Sequence, residues 1–171
     1  MIRPCAGADL AAIEVVINEA AQAYRGVIPI DCWHEPYMTG SALENEIAAG
    51  VNFWGWEESD TLIAVMGLQQ VRDVTLIRHA YVRTAHQGRG IGSALLGFLA
   101  DRATGPLLVG TWAAAQWAIR FYERHGFRLV SPAEKDRLIS AYWSISSRQK
   151  ETSVVLASTR SPDPPPSSPI C

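Results

Sequence analysis

The chain has 171 residues, 48% of them apolar and 19% charged, with a net charge of −2. A chain of that size and apolar share suits one well-buried globular domain and is small for two. The near-neutral balance without a basic run argues against a nucleic-acid footprint, and no apolar run is long enough to span a membrane.

The cysteines Cys5, Cys32 and Cys171 are far apart and fit neither a disulfide framework nor metal-ligand spacing, so no metal is expected. With no charged-then-apolar leader at the start and no prenylation box at Cys171, a cytoplasmic protein is the expectation.

In chain order, residues 1–5 read as a short strand. Ile13, Val16, Ile17, Ala20, Ala21 and Tyr24 fall at three- and four-residue spacing, which predicts an amphipathic helix from Asp9 to Tyr24, ended by Gly26 and Pro29. An irregular aromatic connector over 30–39 follows. Ser41 and Glu44 then form a capping box for a helix over 42–49. Three antiparallel strands are predicted at 51–56, 61–71 and 74–82, with turns at Glu57–Asp60 and around Arg72 and Asp73. Beyond them come a helix over 91–103, a short buried strand over 107–111 and a helix over 114–125 stopped by Gly126. Ser131, Pro132 and Glu134 combine an N-cap, a first-turn proline and a capping-box glutamate, predicting a helix to about 143. A final strand at 152–157 precedes a Pro/Ser-rich stretch, 158–171, expected to be a disordered tail after a single domain over 1–157.

The segment Gln87-Gly88-Arg89-Gly90-Ile91-Gly92 lies between the last of the three strands and a predicted helix. Three glycines in six residues let the backbone turn sharply and gather N–H groups at a helix start, a setting for phosphate or pyrophosphate. No Gly-Lys-Ser/Thr follows, so this is not a P-loop. The glycine spacing also fails the dinucleotide fingerprint. About thirty residues downstream the chain reads Ala118-Ile119-Arg120-Phe121-Tyr122-Glu123-Arg124-His125-Gly126-Phe127.

These two segments, in this order, resemble the pyrophosphate loop and the Ala-x-x-x-Tyr-x-x-x-Gly-Phe helix end of the GNAT family of N-acetyltransferases. Ile2-Arg3-Pro4 and Asp9-Leu10 are similar to the family's first strand and helix start, so the resemblance covers residues 1 to 157. It implies an α/β fold: a mixed, mostly antiparallel central sheet flanked by helices and splayed at an acetyl-coenzyme A groove. It also implies transfer of an acetyl group from acetyl-coenzyme A to a primary amine of a small molecule or protein, by direct attack in a ternary complex without a metal.

On that resemblance the pyrophosphate would rest on Gln87, Gly88, Arg89, Gly90, Ile91, Gly92 and Ser93, with Arg89 either adding a charge-assisted contact or standing solvated. The pantetheine arm would run along Ala80, Tyr81 and Val82, with Ala118 and Phe121 beside it, and an N–H of that strand would polarise the thioester oxygen. Tyr122 would protonate the departing thiolate; its other reading is a ring packed on the sheet. Leu76 stands where some members carry a glutamate base, and no carboxylate occurs between Val74 and Val82. His79 is the nearest group that ordinarily titrates near neutrality. Strict strand alternation would place it on one face with Ile77 and Tyr81, opposite Arg78, Ala80 and Val82, and a bulge would alter that. His34, Glu35 or a relayed water are the alternatives. Ala115 replaces an asparagine that often contacts the coenzyme, and His86 and His125 are assigned no role.

The acceptor pocket is expected from the connector and the strand at 51–56, with Trp33, His34, Glu35, Tyr37, Phe53, Trp54, Trp56 and Trp112 as candidates; simple core packing is the alternative for several of them. Family members place substrate choice in their variable segments, here 24–40 and 128–150, and often dimerise, so a homodimer is an open expectation. The competing function is a non-catalytic acyl-coenzyme A sensor, which Leu76 and Ala115 keep open.

Overall fold

The structure, a computed structural model, describes residues 1–159. The expected tail falls outside them from residue 160 onward, and Ser158, assigned to that tail from the sequence, is the last residue of a strand. The first strand, β1 (Ile2–Pro4), leads into α1 (Leu10–Ala21), which buries the predicted stripe of Ile13, Val16, Ile17, Ala20 and Ala21. Residues 22–24 continue it as one 3-10 turn that carries Tyr24. Helix α2 (Gly40–Ala48) starts two residues before the predicted position. Its cap is Thr39, whose hydroxyl accepts from the Ala42 amide at 3.1 Å, and not Ser41.

Strands β2 (Val51–Glu58), β3 (Thr61–Val71) and β4 (Val74–Val82) form the antiparallel centre. The first hairpin turns on Ser59 and Asp60, both with positive φ, so β2 runs two residues beyond the predicted 51–56. After the glycine loop come α3 (Ile91–Ala100), β5 (Leu107–Trp112) and α4 (Gln116–Arg124), closed by Gly126 at φ +79°. The short β6 (Phe127–Leu129) was not anticipated. Helix α5 (Pro132–Tyr142) begins at the predicted Ser131 cap, which accepts from the Glu134 amide at 3.2 Å. A five-residue helix, α6 (Ser147–Glu151), precedes β7 (Ser153–Ser158). Too short to show a helical period, it left no trace in the pattern.

The strands line up as β1-β2-β3-β4-β5-β7-β6, antiparallel except for β4 and β5. This is the α/β architecture the motifs imply. Alternation along the strands sends Ile77, Val109 and Leu156 to the face covered by α3, and Leu76, Leu108 and Val155 to the face covered by α5. Helices α1 and α2 cover the second face over β2 and β3, through Ile13, Ile17, Leu43 and Val65. Leu95 and Leu99 of α3 are fully buried, and truncation of either to alanine would cost about 2–5 kcal/mol.

The parallel pair is short. Only Thr75, Leu76 and Ile77 of β4 register with Leu107, Leu108 and Val109 of β5. Beyond them β4 stays with β3 while Gly110, Thr111 and Trp112 pair with β7, so the sheet opens between the two strands. The opening coincides with a bulge in β4. Arg78 pairs with Gly67 and Tyr81 with Val65, so His79 and Ala80 together face Met66. The extra residue is accommodated at His79, which takes φ +50°. Opposite Arg78, a Cβ at Gly67 would stand 2.7 Å from Val51 Cγ1, which is why glycine fits there.

Candidate functional site

The bulge corrects the expected face of His79. Instead of joining Ile77, the side chain turns to the α2 side with Arg78 and Tyr81, while Ile77, Ala80 and Val82 pack towards α3. There His79 Nε2 lies 2.9 Å from Glu46 Oε2, and its ring stacks on Phe53 with centroids 5.8 Å apart. Arg78 Nη2 donates to the same Glu46 oxygen at 2.5 Å, and Arg78 Nη1 donates to Gln69 Oε1 at 2.6 Å. Burial pushes the Glu46 carboxyl up, but His79 and Arg78 outweigh it and hold the group below its ordinary value. Glu46 was missed in the sequence because 33 residues separate it from His79 and nothing local marks the pairing.

Two cavities flank the open strands. The larger, of about 650 Å³, is bordered by Ala80, Tyr81 and Val82 of β4, by Gln87, Gly88, Gly90, Ile91, Gly92 and Ser93, and by Ala118, Phe121 and Tyr122 of α4. Gly88 and Gly90 sit at φ +75° and +79°, the left-handed region that glycine enters without cost. Gly90 caps α3, and the first amide with an intrahelical acceptor is Ala94, bonded to the Gly90 carbonyl at 2.9 Å. The amides of Ile91, Gly92 and Ser93 therefore start the helix without such a partner. Tyr122 is 5% exposed, and burial pushes its phenol well above the ordinary value, so it stays protonated at every working pH. Ala115, at the N-cap of α4, is fully buried.

Arg89 stands apart from this wall. Its guanidinium bonds both Glu58 oxygens at 3.1 and 2.9 Å and the His86 Nδ1 at 2.8 Å.

The smaller cavity, of about 130 Å³, lies on the other side of the split. Its walls include Arg78 and His79 from β4, Thr111 and Trp112 from β5, Tyr37 from the connector, and Trp143 and Ile145 after α5. Tyr24 and Tyr81 border both cavities. Trp112 Nε1 donates to the Tyr37 hydroxyl at 2.9 Å, and Trp33 stacks on Tyr37 with centroids 5.8 Å apart.

The other expected pocket residues fall elsewhere. Trp54 packs against Phe98 and Arg102 of the α3 side, and Trp56 Nε1 donates to Glu58. Strand alternation shows that the two share a face but cannot say which. His34 is exposed, and Glu35 is exposed near Gln22 and Arg25. Trp143 was not anticipated; its one signal was its place in the segment 128–150. Among the described residues no group of three or more His, Cys, Asp or Glu could hold a metal, and no helix is long and apolar enough to cross a membrane.

A sheet split between two parallel strands, above a glycine-capped helix start, is the fold shared with solved N-acetyltransferases. The chain belongs to the GNAT acetyltransferase family, whose model, described as the acetyltransferase (GNAT) family, matches residues 15–127. It is 26% identical over 148 residues to the peptidyl-lysine N-acetyltransferase YiaC of Escherichia coli K12, covering 85% of this chain and 95% of that protein. Its fold is shared with the PaiA N-acetyltransferase of Thermoplasma acidophilum, solved in complex with coenzyme A. That match has a TM-score of 0.68 at 17% identity and covers 92% of this chain and 97% of that one. The ribosomal-protein-S18-alanine N-acetyltransferase of Escherichia coli gives 0.65 at 17% identity, covering 92% of each chain.

Proposed function

We propose that acetyl-coenzyme A occupies the larger cavity and an amine acceptor the smaller, and that the acetyl group passes between them at Tyr24 and Tyr81. The observation that carries this reading is that the two cavities share these residues, with Tyr122 on one and His79 on the other. The free amides of Ile91, Gly92 and Ser93 suit a diphosphate, aided by the α3 dipole. The open edge of β4 at Ala80, Tyr81 and Val82 offers backbone groups to a pantetheine arm, and one N–H there would polarise the thioester oxygen.

In this reading the neutral amine attacks the thioester carbon directly. His79 takes the proton the nitrogen sheds, the carbon–sulfur bond breaks, and the Tyr122 hydroxyl gives its proton to the thiolate. Burial raises the Tyr122 phenol, so the hydroxyl still holds its proton when the thiolate departs. The narrow aromatic walls of the acceptor cavity favour an amine on a slender arm, such as a lysine side chain, over a bulky ring system. The peptidyl-lysine acetyltransferase among its relatives points the same way.

The test is release of free thiol from acetyl-coenzyme A in the presence of lysine peptides, peptide α-amines and small polyamines. Saturable turnover with an amine supports the reading. Binding of the coenzyme without thiol release from any amine would instead favour a sensor.

A further inference from the structure

Glu46 lies on α2, an element that no sequence motif connects to the chemistry, yet its carboxylate closes on His79. We propose that Glu46 is a positioning residue for His79, fixing the ring so that it accepts the amine proton; this rests on the acetyl-transfer reading above. Four observations converge. The 2.9 Å contact between Glu46 Oε2 and His79 Nε2 requires the hydrogen on Nε2, because an ionised carboxylate can only accept. In the neutral ring the lone pair then resides on Nδ1, and His79 borders the acceptor cavity. The imidazole plane is held from the side by Phe53, with ring centroids 5.8 Å apart. The carboxylate is itself held, since Arg78 Nη2 bonds the same oxygen, Gln69 Oε1 anchors Arg78, and Gln69 Nε2 donates to the Ala49 carbonyl at the end of α2 at 2.9 Å.

The β4 bulge makes this arrangement possible. Without it Arg78 and His79 would point to opposite faces, and only one could reach α2. The left-handed backbone at His79, an uncommon setting for a non-glycine residue, is therefore tied to the contact.

The charged and titratable groups facing His79 are Glu46 from α2, Arg78 and Tyr81 from β4, and Tyr24 and Tyr37 from the cavity wall. Phe53 of β2 and Gln69 of β3 do not ionise. Burial keeps the three phenols protonated, so Glu46 and Arg78 are the charges that act on the ring, with opposite signs. The Glu46 carboxylate favours the imidazolium and the Arg78 guanidinium disfavours it.

The experiment is a proton NMR titration of the His79 ring in the full chain, with its signal assigned by its loss in His79→Gln. Glu46→Gln should move the midpoint to lower pH, and Arg78→Gln should move it to higher pH. A structural role alone would lower the melting temperature of both variants without shifting the midpoint in opposite directions. If Glu46→Gln does not fold, Glu46→Asp, which keeps the charge on a shorter arm, should give a smaller shift of the same sign. A midpoint unmoved by the Glu46 variants overturns the proposal.

In turnover assays the acid limb of kcat/KM should follow the NMR midpoint in each variant. For Glu46→Gln, kcat should fall about tenfold, part of the 10²–10⁴ that general-base catalysis supplies, with coenzyme affinity unchanged. A limb that ignores the NMR shift overturns the role in catalysis. A wild-type chain that acetylates no amine overturns the acetyl-transfer reading instead, while the titration still decides whether Glu46 controls the ring.

Discussion

Tyr24 and Tyr81 stand edge to face with ring centroids 6.3 Å apart, and each borders both cavities. They come from different elements: Tyr24 from the 3-10 turn after α1, and Tyr81 from β4 just beyond the bulge. Burial pushes the Tyr24 phenol up to about 12 and the Tyr81 phenol well above its ordinary value, so neither carries charge at neutral pH. Tyr37 extends the wall through its bond to Trp112. An uncharged wall at this point would let a neutral amine approach the acyl carbon without competing for a fixed carboxylate.

On the far side of the smaller cavity Trp143 lies over β5, so close that a Cβ at Gly110 would touch its ring at 3.5 Å. Trp143→Ala removes this wall and leaves the larger cavity alone. The KM for the acceptor should rise about tenfold, equivalent to about 1.4 kcal/mol, while coenzyme affinity stays within about twofold. Steady-state kinetics and calorimetry on the same protein check both halves. Equal loss of both would mean that the indole supports the whole split.

The glycine loop allows a cleaner test than bulk at Gly90, where φ is +79° and any side chain also strains the backbone. Gly92 lies in the first turn of α3, and a Cβ there would meet Phe121 and Val82 at 3.5–3.6 Å, ordinary contact distances. Gly92→Ala should therefore preserve or raise the melting temperature, since alanine gains about 0.5–1 kcal/mol of helix preference. The added methyl sits on the cavity wall, so coenzyme affinity should fall at least about tenfold. Unchanged affinity by calorimetry would remove the loop from the binding site.

Strands β3 and β4 match the predicted 61–71 and 74–82 because Arg72 and Asp73 mark their turn and both are rich in β-branched and apolar residues. Helix α5 was legible from its Ser131 cap, and the glycine loop from its own composition. What the sequence hides is long-range. The bulge at His79 lies in how β4 registers against β3, the Glu46 contact in how α2 packs, and the wall of the smaller cavity in Trp143. Trp54 and Trp56 lie beside Phe98 and Glu58, a placement the sequence leaves open because an aromatic strand looks the same whichever face of the sheet it covers.

Tyr122 is packed between Phe121 and Phe127, with ring centroids 5.2 and 5.6 Å away, so Tyr122→Phe keeps the ring contacts and deletes only the hydroxyl. Coenzyme affinity and melting temperature should change little. The turnover number should fall by about a hundredfold or more if that hydroxyl protonates the thiolate. A loss below about threefold, measured where chemistry limits the rate, would mean that the thiolate takes its proton from water.

A last prediction concerns the frame that carries Tyr24 to the site. Arg3 bonds Asp9 with two nitrogens at 2.9 and 2.8 Å and Glu57 with two more contacts, clamping β1 and the start of α1 to β2. The Arg3 guanidinium, followed by the Ala6 amide, holds the Asp9 carboxyl down at about 2. The ordinary value is about 3.9, so the unfolded chain takes up this proton more readily than the folded one. The stabilisation is therefore complete above about pH 5 and drains away as the pH falls from about 4 through 2. With both side chains partly exposed to solvent, it should amount to on the order of 1–2 kcal/mol. Asp9→Asn should unfold at lower urea than the wild type at pH 7, and the gap should narrow by that amount by about pH 2. A gap that is the same at pH 7 and at about pH 2 would show that the Asp9 charge contributes nothing to the frame.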